Sequence, residues 1–161
     1  DVKQAVNYLM TVSGNSTNGY TYSKFKYTVS DKKVASVSSK GILKAKKDGK
    51  IKVTVFGRNA SKKYDELGSF DILVKTPNIT KKVTVTSLNE AIDLNKLVDN
   101  IPAGYAVSFD ISKSSAKKAE LDKATNMIKP VKKGTITVKC IIGEGKYALK
   151  KSIKIVVKPA K

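Results

Sequence analysis

The 161-residue chain contains no histidine, no tryptophan, one cysteine, one arginine and four prolines. Without histidine, the usual general base and the commonest zinc ligand are both missing. Carboxylates do not replace it. The nearest approach to a calcium site, Asp65-Glu66 with Asp71, lacks the EF-hand spacing and its glycine, and reads as a solvated loop. No glycine-rich phosphate loop is present, because the Gly143-x-Gly145 pair stops short of the dinucleotide pattern and opens a strand rather than a helix. A serine nucleophile would need a base such as lysine, and in a chain this rich in both residues, chance pairs carry no information. The expectation is a non-enzyme with no metal and no cofactor.

The lone Cys140 cannot form an intramolecular disulfide. It continues the inward face of Ile136 and Val138, where a free cysteine behaves as a small hydrophobe, so core packing is expected rather than reactivity. One cysteine suits an exported bacterial protein as well as a cytosolic one. No apolar run approaches the ~20 residues that span a bilayer, and Asp1 is not followed by the ordered regions of a signal peptide. A soluble chain without membrane insertion is expected, a processed product or an excised piece of a longer protein. The scarcity of arginine bears on partners. The net charge of +19 is almost wholly lysine, with Arg58 the single exception. Lysine is a flexible point charge that attracts polyanions, whereas arginine's planar fork reads guanine edges, so no sequence-specific nucleic acid is expected.

What the chain does have is an internal repeat. Lys44-Ala-Lys-Lys-Asp-Gly-Lys-Ile-Lys-Val-Thr-Val55 recurs as Lys129-Pro-Val-Lys-Lys-Gly-Thr-Ile-Thr-Val-Lys-Cys140, at a constant offset of 85 residues. Each copy reads as a basic turn, a glycine, and a strand in which apolar and polar residues alternate. The glycine suits a tight turn into a strand, where a positive φ is often needed. Gly41 before Ile42-Leu43 matches Asn126 before Met127-Ile128, and asparagine is the non-glycine residue that best tolerates the left-handed region. The repeat divides the chain into two modules, 1–76 and 77–161. Each buries only ~60% of its unfolded surface, which leaves no room for a deep catalytic cleft.

The rest of the chain fits this frame. Val6, Tyr8 and Met10 suggest an opening strand, and Ser13 to Gly19 a loop. Tyr20, Tyr22, Phe25, Tyr27 and Val29 predict an aromatic strand broken between Tyr22 and Phe25. A turn at Ser30 to Lys33 leads to a short strand at Val34 to Val37. Gly57 to Gly68 reads as a long polar hairpin loop before a last strand through Phe70, Ile72 and Val74. In the second module that loop shrinks to Gly143 to Lys146, and the last strand runs from Tyr147 to Val157. Lys81 to Thr86 is an alternating strand. Ser87 to Glu90 has capping-box spacing, but strand at Ala91 to Leu94 followed by a helical turn at Asn95 to Asp99 is preferred over a helix. Tyr105, Val107, Phe109 and Ile111 match Phe25, Tyr27, Val29 and Asp31, which leaves four extra residues before Ala119-Glu-Leu121.

The run from Tyr27 to Val55 resembles the bacterial immunoglobulin-like domain of group 2. It has a serine-aspartate turn, the Val34-Ala-x-Val37 strand, a small turn ending in Gly41, and a lysine-rich approach to Gly49-x-x-x-Val53. The likeness covers residues 25 to 76 well and is looser over 80 to 159. It implies an all-β fold of two tandem immunoglobulin-like β-sandwich domains with Greek-key connections, of the kind in adhesins such as intimin and invasin. The family lacks the disulfide of antibody domains, in keeping with one cysteine and no tryptophan. It implies a secreted or cell-surface bacterial protein, and it carries no shared site motif to transfer.

Two readings of the lysines stay open. Lys50, Lys52, Lys139, Lys154 and Lys158 fall on outward strand positions, where lysine keeps sheets soluble and discourages edge pairing. Lys44, Lys46 and Lys47, with Lys129, Lys132 and Lys133, form two repeated basic turns that could hold an anionic polymer. The solvated reading is preferred, since exposed charges are screened beyond ~8 Å at physiological salt. Tyr20, Tyr22, Phe25 and Tyr27 similarly divide between a carbohydrate-stacking face and core, with about half expected inside. The sequons at Asn15, Asn59 and Asn78 would matter only in a eukaryotic secretory protein. The expected role is that of a spacer or adhesion segment, monomeric within a larger protein, whose partner is a cell-wall or host-surface polymer or protein. The alternatives are a polyanion- or glycan-binding module and an accessory region of a carbohydrate-active enzyme.

Overall fold

Ile51, Val53 and Val55 are each no more than 1% exposed, while Lys52 between them faces solvent. The same alternation recurs at Ile136, Val138 and Cys140, each 0% exposed, so one such strand runs through the core of each half of the chain. The computed structural model describes residues 3–5, 22 and 24–158. The strand expected at Val6, Tyr8 and Met10, the loop from Ser13 to Gly19, and Tyr20 lie outside the described residues.

Among the described residues the fold is all-β apart from one short helix and two 3-10 turns, and the chain divides into two compact units, Asp1–Thr76 and Pro77–Lys161. The first unit holds β1 (Lys3–Ala5), β2 (Phe25–Val29), β3 (Ala35–Val37), β4 (Ile42–Ala45), β5 (Gly49–Arg58) and β6 (Tyr64–Val74). These form two antiparallel sheets, in the orders β2-β5-β6 and β1-β4-β3. Both contribute to one core, in which Ala35, Leu43 and Ala45 meet Ile51, Val53, Val55 and Val74, with Tyr27, Phe70 and Ile72 packed against them.

The second unit holds β7 (Asn78–Ile79), β8 (Lys82–Val85), β9 (Ile92–Asp93), β10 (Val98–Asp99), β11 (Val107–Ile111), α1 (Lys113–Ala116), β12 (Ala119–Asp122), β13 (Met127–Pro130), β14 (Gly134–Ile142) and β15 (Leu149–Val157). Its sheets are β11-β14-β15-β8, β12-β13-β9 and the pair β10-β7. Between Asp93 and Val98 the chain makes a 3-10 turn at Leu94–Leu97, with the Asp93 carboxylate accepting the Asn95 N–H. Strand followed by turn is therefore the outcome, but the turn expected at Asn95 to Asp99 runs from Leu94 to Leu97, and Val98–Asp99 is a strand instead.

Hydrogen bonds recur between the copies, with donors 85 residues apart and acceptors 84. The Val34 carbonyl accepts from the N–H groups of both Lys46 and Lys47, and the Lys118 carbonyl accepts from those of Val131 and Lys132. Gly41 has φ 71° and Asn126 φ 58°, so the asparagine does take over the left-handed position. Its side chain also donates to Asn95 Oδ1 at 3.0 Å.

Register corrects two alignments. Tyr27 lies opposite Val55, and Phe109 lies opposite Cys140. Tyr27 therefore corresponds to Phe109, not Val107, and Val29 to Ile111. A slip of two residues leaves every inward side chain inward, so the hydrophobic pattern could not detect it. The interval from Val29 to Ala35 is six residues and from Ile111 to Ala119 eight, so two residues are inserted rather than four. The insertion is absorbed by α1, capped by the Ser112 hydroxyl accepting the Ser115 N–H at 3.2 Å.

The long polar loop is also shorter than expected. β5 runs to Arg58 and β6 starts at Tyr64, so the hairpin extends past the core as a two-stranded arm. Asp65 and Glu66 stand on β6, not in a loop, and a bulge between Val55 and Phe56 shifts the register. Gly57 is required there, since a Cβ would lie 2.6 Å from the Tyr22 ring.

Candidate binding surfaces

All six turn lysines are exposed, and they occupy equivalent places in the two units. Lys44 is on β4 and Lys129 on β13, each one step from a buried residue on either side. Lys46, Lys47, Lys132 and Lys133 lie in the turns that lead into β5 and β14. Because paired backbone bonds to Val34 and Lys118 anchor these turns, the lysines project from fixed positions.

Their surroundings differ. In the first turn, Lys46 Nζ donates to the Lys32 carbonyl at 2.8 Å, and Asp48 accepts from the Thr76 N–H at 2.7 Å and from the Thr76 hydroxyl. The repeat places Lys133 where the first unit has Asp48. The second turn therefore gains a cation where the first has a carboxylate. Across the ladder the balance is opposite, with Glu120 facing Lys129 and Ser36 facing Lys44.

The outward strand lysines Lys50, Lys52, Lys139, Lys154 and Lys158 are exposed. Lys50 and Lys52 both reach Asp71 at 3.4 Å, and hydrogen bonding from Lys52 above all holds that carboxyl below its ordinary range. The aromatic face is split. Tyr27 packs on the core, Tyr22 is half-buried against Gly57, and Phe25 is 49% exposed. Tyr64, also exposed, has Lys26 Nζ 6.0 Å from its ring centre.

Sequence reasoning missed an open cleft of ≈ 440 Å³ in the second unit, lined by Asp110, Ile111, Ser112, Thr137, Lys139, Lys150, Lys151 and Ser152. It combines three cations, hydroxyls and one carboxylate. Asp110 is ion-paired with Lys123 at 3.1 Å, and that hydrogen bond, helped by the Ile111 N–H, keeps its carboxyl low and charged. The cleft spans β11, β14 and β15, so no local motif marks it.

Cys140 is fully buried, and burial pushes its thiol up to about 11. It serves the core. Among the described residues no group of three or more His, Cys, Asp or Glu side chains could hold a metal ion, and no helix is long and apolar enough to cross a membrane.

The two-sheet frame with its lysine-rich turn and left-handed Gly41 is what a comparison with known families can test. Residues 1–66 match the bacterial Ig-like domain (group 2). The match ends within β6 of the first unit, and Ig-like domains of this group occur in bacterial surface proteins. No curated protein matches the chain in sequence. Among solved structures it is similar to Drosophila N-cadherin EC1-4, with 15% identity, TM-score 0.33, and coverage of 83% of this chain and 42% of that one. It is also similar to a SusE-like surface located polysaccharide binding protein from Bacteroides thetaiotaomicron, with 13% identity, TM-score 0.35, and coverage of 88% and 30%. For domains 4 and 5 of the S-layer protein SbsC the identity is 11%, the TM-score 0.31, and the coverage 89% and 74%. The chain thus spans less than half of the first two structures.

Proposed function

We propose that this chain is a non-catalytic tandem Ig-like segment of a bacterial secreted or cell-surface protein, acting as a spacer or adhesion module. The observation that carries this reading is the reuse of one frame. In each unit a single carbonyl, Val34 or Lys118, accepts two turn N–H groups, and a left-handed residue, Gly41 or Asn126, precedes the next strand. Between those fixed points the tips vary, from a projecting β5–β6 arm to the short turn after Ile142. A frame kept while its loops change suits a module that sets distance and presents surfaces. Its partner on this reading is a cell-wall or host-surface polymer or protein.

A second reading, binding of an anionic polymer, is favoured by one observation: the lysine triads project from equivalent anchored turns. The test is binding of the purified chain to anionic and neutral polysaccharides at low and physiological salt. Binding that disappears with salt for every anion alike supports the spacer. Retention at physiological salt, lost when Lys129, Lys132 and Lys133 become glutamine, supports the polyanion reading. Loss instead on changing Lys139, Lys150 and Lys151 moves the site to the cleft.

A further inference from the structure

The open cleft of the second unit is built by cross-strand register. Asp110 of β11, Lys139 of β14 and Ser152 of β15 stand in one row across three strands. Lys150 faces Ile141 in the next outward row, and Lys151 faces Cys140 between the two. All three lysines are exposed, and among the described residues none of them is ion-paired. The cleft's one carboxylate, Asp110, is held by Lys123 at 3.1 Å, and that hydrogen bond above all keeps it ionised. Three cations therefore line the cleft, and its one anion is already offset by a fourth.

The first unit holds the same places without the charge. Tyr27 matches Phe109, and the pair Gly49 and Val74 matches Gly134 and Val157, so Thr28, Thr54 and Ser69 stand in the row of Asp110, Lys139 and Ser152. Gly68 faces Val55 where Lys151 faces Cys140, and Glu66 faces Phe56 where Lys150 faces Ile141. Threonine, glycine and glutamate thus occupy the places of the three lysines. Because the frame forms without them, the fold does not require their convergence. Nor does a lysine-rich composition explain it, since the same chain leaves the equivalent places of the first unit without a cation.

We propose that this cleft binds a sugar residue of a polysaccharide that bears one carboxylate or sulfate group, the anion held by Lys139, Lys150 and Lys151 and the sugar hydroxyls by Asp110, Thr137 and Ser152. The assignment rests on the anionic-polymer reading and differs from it in placing the contact away from the turns. The volume of ≈ 440 Å³ suits a small ligand unit, for which sites run ~300–1,000 Å³. Lysine ammoniums act as point charges and take up either anion. An ionised carboxylate only accepts hydrogen bonds, so Asp110 pairs with the O–H of a sugar hydroxyl. It also repels a second anion placed close to the first, which disfavours densely charged chains such as polyphosphate. One anion flanked by hydroxyls is the pattern that meets both demands.

The test titrates the whole chain at physiological salt with trigalacturonate, a κ-carrageenan tetrasaccharide, maltotriose and tripolyphosphate, reading amide chemical shifts. One or both acidic sugars should shift the amides of Lys139 and of Lys150 to Ser152, and the one that binds identifies carboxylate or sulfate as the anion. Maltotriose should not bind, and tripolyphosphate should bind more weakly than the acidic sugar. Changing Lys139, Lys150 and Lys151 together to glutamine should raise Kd by about tenfold, the sum of three exposed charge contacts of modest strength. Amides outside the cleft should keep their positions in that variant, which shows an intact fold. Glutamine at Lys129, Lys132 and Lys133 should leave Kd unaltered, and Asp110→Asn should reduce the preference for acidic sugar over tripolyphosphate. Tripolyphosphate binding as tightly as the acidic sugars, or shifts spread evenly over the exposed lysines, overturns the proposal in favour of generic charge. Shifts confined to Lys129, Lys132 and Lys133 overturn it and leave the anionic-polymer reading standing, whereas failure of every acidic sugar to bind overturns both.

Discussion

Replacing Ser115 with alanine tests whether one buried hydroxyl holds the inserted helix against the central sheet. Ser115 is 4% exposed, and its Oγ accepts the Thr137 N–H at 3.0 Å and the Ser112 hydroxyl at 3.2 Å. At the repeat offset, Thr137 corresponds to Lys52, whose N–H is accepted by Ser30 Oγ at 2.9 Å. Both units therefore satisfy the same strand N–H with a serine, but from different depths. Alanine at 115 leaves the Thr137 N–H beneath α1 without an acceptor, which costs ~1–3 kcal/mol. Ser112 is exposed, so water replaces its lost partner. Ser30 is also exposed, and Ser30→Ala should fall within about 0.5 kcal/mol of the parent. With a urea dependence of ~1–3 kcal/mol per molar for a small domain, Ser115→Ala lowers the second unit's midpoint by ~1 M. Residue-resolved hydrogen exchange in urea reads the two units separately, and the Thr137 amide should lose protection first. Equal midpoint shifts for the two alanine variants, or an unchanged Thr137 amide in Ser115→Ala, would refute the reasoning.

At Gly41, with φ 71°, alanine should cost ~1–2 kcal/mol and asparagine clearly less, while Asn126→Gly is tolerated apart from its lost bond to Asn95. Thermal melts rank the variants, and equal losses for alanine and asparagine at 41 would contradict the left-handed requirement. For Cys140 the folded value of about 11 lies above the ordinary 9.0, so the protonated thiol is favoured by folding. Its contribution is fully present below pH 9 and is lost as pH rises from 9 toward 11. Cys140→Val should flatten that alkaline decline, and thiol reagents should label the native protein only as fast as it opens. Rapid labelling at pH 7 would show an accessible thiol instead.

The frame was legible wherever a turn and a strand came together. The repeat aligned β4 with β13 and β5 with β14 without a gap, because a glycine or asparagine at the turn and buried residues every second position constrain the backbone and the pattern at once. Where only the alternation spoke, at Tyr27 and Phe109, the alignment slipped by two. The paired residues Gly57–Arg58 and Tyr64–Glu66 read as loop because they are polar or glycine and show no alternation, with Tyr64, Asp65 and Glu66 all exposed. Ser115 gave no signal, standing in a serine-rich run where its neighbours Ser112 and Ser114 are exposed. The cleft was invisible for another reason: Asp110, Lys139 and Ser152 become neighbours only through cross-strand register.

That register also shows how one frame can carry unequal surfaces. The first turn contains Asp48, whose carboxylate is engaged by Thr76, and its Lys46 ammonium is directed to the Lys32 carbonyl. The second turn has lysine in place of the aspartate and valine in place of Lys46. The anchoring bonds to the Val34 and Lys118 carbonyls are kept in both. Neither exchange is demanded by the backbone, because both involve side chains outside the core. Val131, half-buried, replaces an exposed lysine, so the second turn concentrates its charge on Lys132 and Lys133 next to the strand. Any anionic polymer that recognises these turns would therefore meet Lys132 and Lys133 together in one unit and, in the other, Lys46 and Lys47 beside the Asp48 carboxylate, with the Lys46 ammonium bonded to the Lys32 carbonyl. Specific binding should then follow the second turn, whereas a merely solvating role makes glutamine substitutions in the two turns equivalent.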